Sequence, residues 1–590
     1  MNDDVTELKR LVDMAAGREP ADLLIVNAKV VDVFTGTVRE SPVSVGRGRF
    51  LGFSHIPARE TLDAGGAYLL PGLIDAHIHI ESSMASPARF AELVLPCGTT
   101  TVIADPHEIA NVFGADGIRY MLESGRDLPL DIRIALPSCV PAAPFEDAGA
   151  VLDAAALEAF IDDPRVSGIG EVMNFPGVIA GDPDMLTKIL LGLRRNKAVD
   201  GHAPGVLGRD LDAYFVTGVS NNHEIATPEE LEQNLQRGAY ALLREGSAAR
   251  DLAKLLPALG PAAFRRCAFC CDDRHPEDIL RDGHIDNHLR QAVRLGVDPV
   301  QAVTMGTLNA AECFGLRRKG AVAPGRDADF VLVDDLHDFR PRRVYAAGRL
   351  VAEDGRVLVP LRDTPPARTE GSGRFDGGMR MAPLADDAFA LRIPAGAARV
   401  IGIEPRSLVT RHEIRSVVTD GDGFFHCADN PGLCKIAVIE RHRATGRLGV
   451  GLLSGYGIRG GAVATSIAHD SHNVVTAGDN DADMLLAVRA LAEMDGGIVM
   501  VCGGTITGRL PLPVAGLLTT APPAETGRTL GRMIAAAHAD LAIPAEVEPF
   551  MTLSFMALPV IPSLKITARG LFDVERFAFV ETAAEAPLPV

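Results

Sequence analysis

The sequence predicts an α/β protein built on a (β/α)8 barrel, with a flanking composite β-domain and an additional C-terminal α+β domain. Three observations carry this reading. Eight short apolar runs alternate with helical stretches across residues 67–315, the pattern of parallel βαβ units. Two strand-like, turn-rich segments, 21–66 and 316–361, bracket that region. A second mixture of strands and helices follows a stretch rich in proline, glycine and charge.

In chain order, residues 1–20 read as an acidic helix, and ADLLIVNAKVVDVFTGTVRESPVSVGRGRFLGFS alternates apolar and polar residues as short antiparallel strands do. The same texture returns over 316–361, so the two segments are expected to form one small β-domain. Between them lie LLPGLIDAHIHI, TTVIADPHE, DIRIALPSCV, VSGIGEVMN, AVDGHAPG, GVSNNHE, YALLREGS and CAFCCDD. Eight such units in about 250 residues match a TIM-like barrel, whose active site is assembled at the C-terminal ends of its strands. Each run ends in polar or ionisable residues, as that arrangement requires. Residues 362–380 read as a linker. Residues 381–590 mix β-rich segments (SVVTD, KIAVIE, LGVGLLSG, GGIVMVCGG) with helical ones (DADMLLAVRALAEM, ETGRTLGRMIAAAHADL), and GDNDAD at 478–483 reads as a helix N-cap with an acidic first turn.

Composition excludes several classes. A chain of 590 residues that is 47% apolar and 23% charged is an ordinary globular protein of several domains. The formal charge of −19 repels polyanions, so no nucleic-acid partner is expected. The N-terminal MNDDVTELKRLVDMAAGREP lacks the apolar run of a signal peptide or membrane span, which leads to a cytoplasmic expectation without a membrane partner. Nine scattered cysteines do not suggest a disulfide framework. Cys267 and Cys270 lie in the apolar run CAFCC, which reads as a buried strand rather than a metal or redox pair.

The chemistry concentrates at the strand ends. Residues two apart on a strand share a face, so His77 and His79 in PGLIDAHIHIESSM present both imidazoles to one ion at the barrel mouth. Glu171 in GIGEVMNFPG, His202 in DGHAPG, His223 in SNNHE and Asp272 in FCCDDR close the fourth, fifth, sixth and eighth runs. Taken singly, each has a structural alternative as a core histidine or a helix-capping carboxylate. Taken together, they make a set of donors suited to two cations.

These residues resemble the metal ligands of the amidohydrolase superfamily. PGLIDAHIHIESSM, ADPHEIANV, GEVMNFPGV, GHAPG, LREGSAARDL, DDRHPEDI and LPVIPSLKIT, together with the C-terminal domain, are similar to the adenine deaminase family across nearly the whole chain. The resemblance implies that His77, His79 and Asp272 hold one ion and His202 and His223 the other, with Glu171 bridging where many relatives use a carbamylated lysine. It favours two Mn2+ ions, with Fe2+ or Zn2+ as alternatives that the same ligand types also serve. Cys271 before Asp272 and Asn222 before His223 depart from the expected pattern.

The implied reaction is hydrolytic deamination of adenine to hypoxanthine and ammonia, a purine-salvage step. Two metals sharing a water lower its pKa to about 7, the resulting hydroxide attacks C6, and Asp272 manages its proton; Glu171 and Asp272 are thus the catalytic candidates. Substrate-binding candidates are Asp105, His107 and Glu108 after the second run, Arg244, Glu245 and Ser247 after the seventh, and Asp273, Arg274 and His275 after the eighth. Salt bridging and helix capping are the alternative roles for these loop residues. In the C-terminal domain, His469, Asp470 and His472 of AHDSHN are candidates to reach over the barrel mouth or bind metal; a surface loop is the alternative. Competing functions are a dihydroorotase- or hydantoinase-like cyclic amidohydrolase, against which the glutamate bridge and the extra domain argue, and a non-catalytic assembly subunit, against which the full ligand set argues. The H-x-E and P-C-x-x-C signature of nucleic-acid deaminases is missing. A homo-oligomer, dimer or higher, is expected for a large multidomain enzyme.

Overall fold

A computed structural model describes residues 4–585 except 248, 261, 367–374, 376, 377, 395 and 406. The expected linker at 362–380 therefore falls largely outside the described residues. The chain opens with a helix, Val5–Ala15, capped by the Asp4 side chain, which accepts from the Glu7 amide at 2.8 Å.

Eight parallel strands form the barrel: β1 Leu73–Ile78, β2 Thr99–Ala104, β3 Asp131–Leu136, β4 Val166–Val172, β5 Ala198–Gly201, β6 Asn221–Asn222, β7 Tyr240–Arg244 and β8 Cys267–Cys270. β1 to β5 make one sheet in sequence order, and β6 to β8 make a second. β1, β2, β4 and β8 are buried at every residue, which is why they read as continuous apolar runs rather than alternating ones. Two seams close the circle. At one, the Asp272 amide donates to the His77 carbonyl (2.9 Å) and the His79 amide to the Asp272 carbonyl (3.1 Å). At the other, the Ser220 amide donates to the Val199 carbonyl (2.9 Å). There the Gly201 amide is taken by the Asn221 side chain (2.9 Å). This substitution of a side chain for a backbone partner explains why the GVSNNHE run forms only a two-residue strand.

Strands drawn from 21–71 and from 330–357 share the flanking β-structure: Phe330–Val333 pairs with Tyr68–Pro71, which pairs in turn with Lys29–Asp32. Its core contains Val45, Phe50, Leu69 and Phe330, with Tyr345 stacked on Phe330 at 4.2 Å. The C-terminal region is organised by an eight-stranded sheet. The helix Asp481–Glu493 covers one face of that sheet, and Pro523–Asp540 covers the other. Asn480 caps the first of these helices by accepting from the Asp483 amide. The expected strand SVVTD is corrected: the strand is Thr410–Ser416, and the Val418 amide leaves the ladder to donate to Asn430 Oδ1 at 2.8 Å. Among the described residues no helix is long and apolar enough to cross a membrane.

The C-terminal region is bonded directly to the barrel mouth. The Thr519 amide donates to the Met84 carbonyl (2.9 Å) and the Ser86 amide to the Thr519 carbonyl (3.0 Å). Asp147, beyond β3, pairs with Arg447 and Arg569 of the C-terminal region.

Candidate metal centre

Strand alternation brings His77 and His79 together with their Nε2 atoms 3.2 Å apart. Each ring is oriented from behind: His77 Nδ1 bonds Asp200 Oδ2 at 2.6 Å, and His79 Nδ1 bonds the Asp105 carbonyl at 2.9 Å. Donation of Nδ1–H to these acceptors leaves each Nε2 as the atom turned to a cation. Asp272 Oδ1 stands 3.2 Å from His79 Nε2 and 3.7 Å from His77 Nε2. Asp272 adopts a positive φ of 60° just after β8, a conformation that aspartate tolerates better than most residues.

Glu171 lies between two histidine groups. Its Oε1 is 3.2 Å from His79 Nε2, and its Oε2 is 2.6 Å from His202 Nδ1 and 3.2 Å from His223 Nε2. The Glu171 amide donates to Asp105 Oδ2 at 2.9 Å. A Cβ at Gly170 would meet that oxygen at 2.0 Å, so the close approach of Asp105 requires glycine there. His107 Nδ1 adds a fourth imidazole, 3.1 Å from Glu171 Oε1.

Donors bound about 2.1 Å from one cation lie about 3.0–3.4 Å from each other; four of the contacts here are 3.2 Å, with His77–Asp272 longer at 3.7 Å and Glu171–His202 shorter at 2.6 Å. The donor types, imidazole nitrogen and carboxylate oxygen, suit a divalent cation. Asp200 Oδ1, His223 Nδ1, Asp105 Oδ1 and His107 Nδ1 are buried polar atoms around the cluster without hydrogen-bond partners among the described residues. On these grounds the residues fit a binuclear centre. Burial opposes ionisation of Glu171, but the imidazoles of His202, His107 and His223 overcome it and hold the carboxyl well below the usual range. Asp272 is likewise buried, and His79 and Arg244 hold it well below that range. Arg244 donates to Asp272 Oδ2 at 2.6 Å while also paired to Glu224 and Asp251.

A cavity opens on this cluster. His79, His107, Glu171, His202, Arg244, Asp272 and Asp273 form its barrel side, and Leu408, His469, Asp470, Phe555, Leu558, Val560 and Ile561 reach it from the C-terminal region. Asp105 and Glu108 sit behind this wall. Glu108 accepts from Ser82 Oγ at 3.1 Å and faces His472 Nε2 at 3.6 Å. His472 is fully buried and does not line the cavity.

Four candidates are brought elsewhere, because their polar groups fasten loops. Arg274 donates to the Glu245 carbonyl at 2.6 Å, and Glu245 itself accepts from Gln291 at 3.2 Å. Ser247 bonds Asp278 and accepts from the His275 amide at 2.9 Å. The two departures from the family pattern face second partners: the Cys271 amide donates to Asp75 at 3.1 Å, and Asn222 Oδ1 accepts from the Ala203 amide at 3.2 Å. Sequence reasoning missed Asp200 and Glu224. Asp200 shares its strand face with His202, two residues on, so the period-two signal was present; Glu224 adjoins His223 without any such mark.

The barrel and the clustered imidazoles and carboxylates define an amidohydrolase-type metal-dependent hydrolase. The profile described as "Amidohydrolase family" matches residues 68–351, and "Adenine deaminase C-terminal domain" matches 407–578. The chain is 61% identical to an adenine deaminase of Nitratidesulfovibrio vulgaris strain DP4, covering 97% of this chain and 98% of that one. It is 45% identical to adenine deaminase 2 of Desulfotalea psychrophila (98% and 99% covered) and 42% identical to an adenine deaminase of Halalkalibacterium halodurans (97% and 98% covered). The chain belongs to the adenine deaminase family, and membership implies a divalent metal cofactor.

Proposed function

We propose that this chain hydrolyses adenine to hypoxanthine and ammonia at a binuclear centre, with His77, His79 and Asp272 holding one ion, His202 and His223 the other, and Glu171 spanning both. The observation that carries the reading is Glu171, whose two carboxylate oxygens face separate histidine groups. The substrate is carried by relatives named adenine deaminase that align over nearly the full chain. Manganese is the first choice of metal, with iron or zinc served by the same ligand types. A cytoplasmic location and a homo-oligomer belong to the same reading, and the multidomain size of the chain supports the second.

Held by these residues, such cations would lower the pKa of a bound water to about 7. Asp272 Oδ1, beside the two imidazoles, takes the proton of the water that attacks C6. Its other oxygen is fixed by Arg244, so the carboxylate is oriented as well as ionised. Asp272 passes that proton to ring nitrogen N1 as the tetrahedral intermediate forms, and the remaining hydroxyl proton then goes, through the same carboxylate, to the exocyclic amine. The C6–N bond breaks, ammonia leaves, and the C6 oxygen of hypoxanthine remains. The apolar side of the cavity, with Leu558, Val560 and Ile561, matches the flat faces of a purine and keeps bulk water out.

The test is ammonia release, with the spectral shift from adenine to hypoxanthine, on apo-protein reconstituted with Mn2+, Fe2+ or Zn2+ in turn. Activity on adenine that requires about two equivalents of metal is expected. Hydrolysis of dihydroorotate or hydantoin in place of adenine would overturn the reading.

A further inference from the structure

Asp470 is a carboxylate from the C-terminal region set into the wall of the barrel's cavity. It is 3% exposed. Its Oδ1 makes long ion-pair contacts of 3.7 Å with both His107 Nε2 and His469 Nδ1, beyond hydrogen-bond range. Its Oδ2 is buried with no hydrogen-bond partner among the described residues. A buried carboxylate costs free energy unless donors reach it, so a charge kept at the cavity wall in this state is suited to a donor that arrives with the ligand. The loop that carries it is firmly placed: the His469 amide donates to the Ser554 carbonyl at 3.1 Å, the His469 ring stacks on Phe555 at 4.3 Å, and Asn473 donates to the Asp147 carbonyl at 2.9 Å.

Position decides which donor it meets. The His107 ring separates Asp470 from Glu171, with Nδ1 turned to Glu171 and Nε2 to Asp470. A purine whose C6 lies at the Glu171 and Asp272 end has its amino group there, beside the reacting centre. The remaining N–H of a free adenine is on the five-membered ring. In a nucleoside that position carries the sugar and no proton. We propose that Asp470 accepts this ring N–H and thereby selects the free base over its N9-substituted forms, an assignment that rests on the adenine reading above. Rejection of this kind is strong, because an analogue lacking the donor leaves a buried acceptor unpaired.

The experiment uses the full chain reconstituted with Mn2+ and compares adenine with 9-methyladenine, which has no ring N–H, as substrate or, where turnover is too slow, as competitive inhibitor. The parent is expected to discriminate by about 100-fold or more. Asp470→Ala is expected to lose about 10–100-fold on adenine, chiefly through KM, with no loss on 9-methyladenine, so the ratio collapses. Asp470→Asn, which keeps the shape, is expected to move the ratio in the same direction, and metal content serves as the check on folding. An active parent whose ratio is the same in both variants overturns this assignment alone, whether the two compounds fall together or neither falls. A parent inactive on adenine overturns the functional reading and this assignment with it.

Discussion

Asp200 is fully buried and touches no part of the cavity wall, yet it bonds His77 Nδ1 at 2.6 Å and approaches His223 Nδ1 at 3.8 Å. The two rings it serves are stacked 3.9 Å apart, one from each proposed ion's set. Loss of its charge should therefore loosen both sets. Asp200→Asn is expected to cost about 10–100-fold in metal affinity, measured by chelator competition, with the circular dichroism spectrum unchanged; unaltered affinity would count against the role. Asp272→Asn should separate from it, lowering kcat by about 100-fold or more while KM for adenine moves little, as removal of a proton acceptor does. At this scale the sequence made His77, His79, Glu171, His202, His223 and Asp272 visible because each closes a recognisable run. Phe555 was invisible and Leu558 and Val560 were marked only by the LPVIPSLKIT resemblance, since an apolar residue bound for a cavity wall has the same local pattern as one bound for a core.

Elements set how the cavity is covered. Two separated segments, at Leu408 and at Phe555, form part of its apolar side, and both are tied to one side chain on the strand Leu564–Thr567. Lys565 Nζ donates to the Leu408 carbonyl at 2.8 Å and to the Phe555 carbonyl at 3.1 Å. The residue is wholly buried, and burial pushes its ammonium down to about 7. An unfolded lysine titrates near 10.4, so between about pH 7 and pH 10 the unfolded chain holds a proton that the folded chain has released. Stability from this group consequently rises with pH across that window, and below about pH 7 the full burial penalty is present. Lys565→Met removes the titration. Its melting temperature relative to the parent should be most favourable below pH 7 and should decline steadily towards pH 10; a difference flat with pH would refute the argument. The alternation of strands and helices was legible because burial on both faces writes continuous apolar runs. The brevity of β6 was not, because Asn221 replaces a ladder bond with its side chain, and an Asn-Asn pair reads equally as strand end or turn.

Across the whole molecule, the proposed ligands straddle the joins of the barrel. His77 and His79 end β1 and Asp272 follows β8, so one ion's set spans the first seam; His202 follows β5 and His223 follows β6, so the other spans the second. Glu171, near the end of β4 in the five-stranded sheet, would tie the two sets together. The seams carry only a handful of backbone bonds, including Asp272 to His77 and Ser220 to Val199, beside the apolar packing of the barrel interior. Metal bound to the folded state alone adds about 2.7 kcal/mol per site at a hundredfold excess over Kd, and with the proposed ligand sets that energy would act between sheets rather than within one. Chelation should thus lower the calorimetric melting temperature reversibly. Hydrogen exchange should rise first at residues 77–79 with 271–272 and at 198–201 with 219–223, while the interiors of β2 and β3 stay protected. Glu171→Gln should show much of this seam exchange before any chelator is added. Exchange that rises evenly around the barrel, or a melting temperature indifferent to chelation, would show that the ions are not what joins the two sheets.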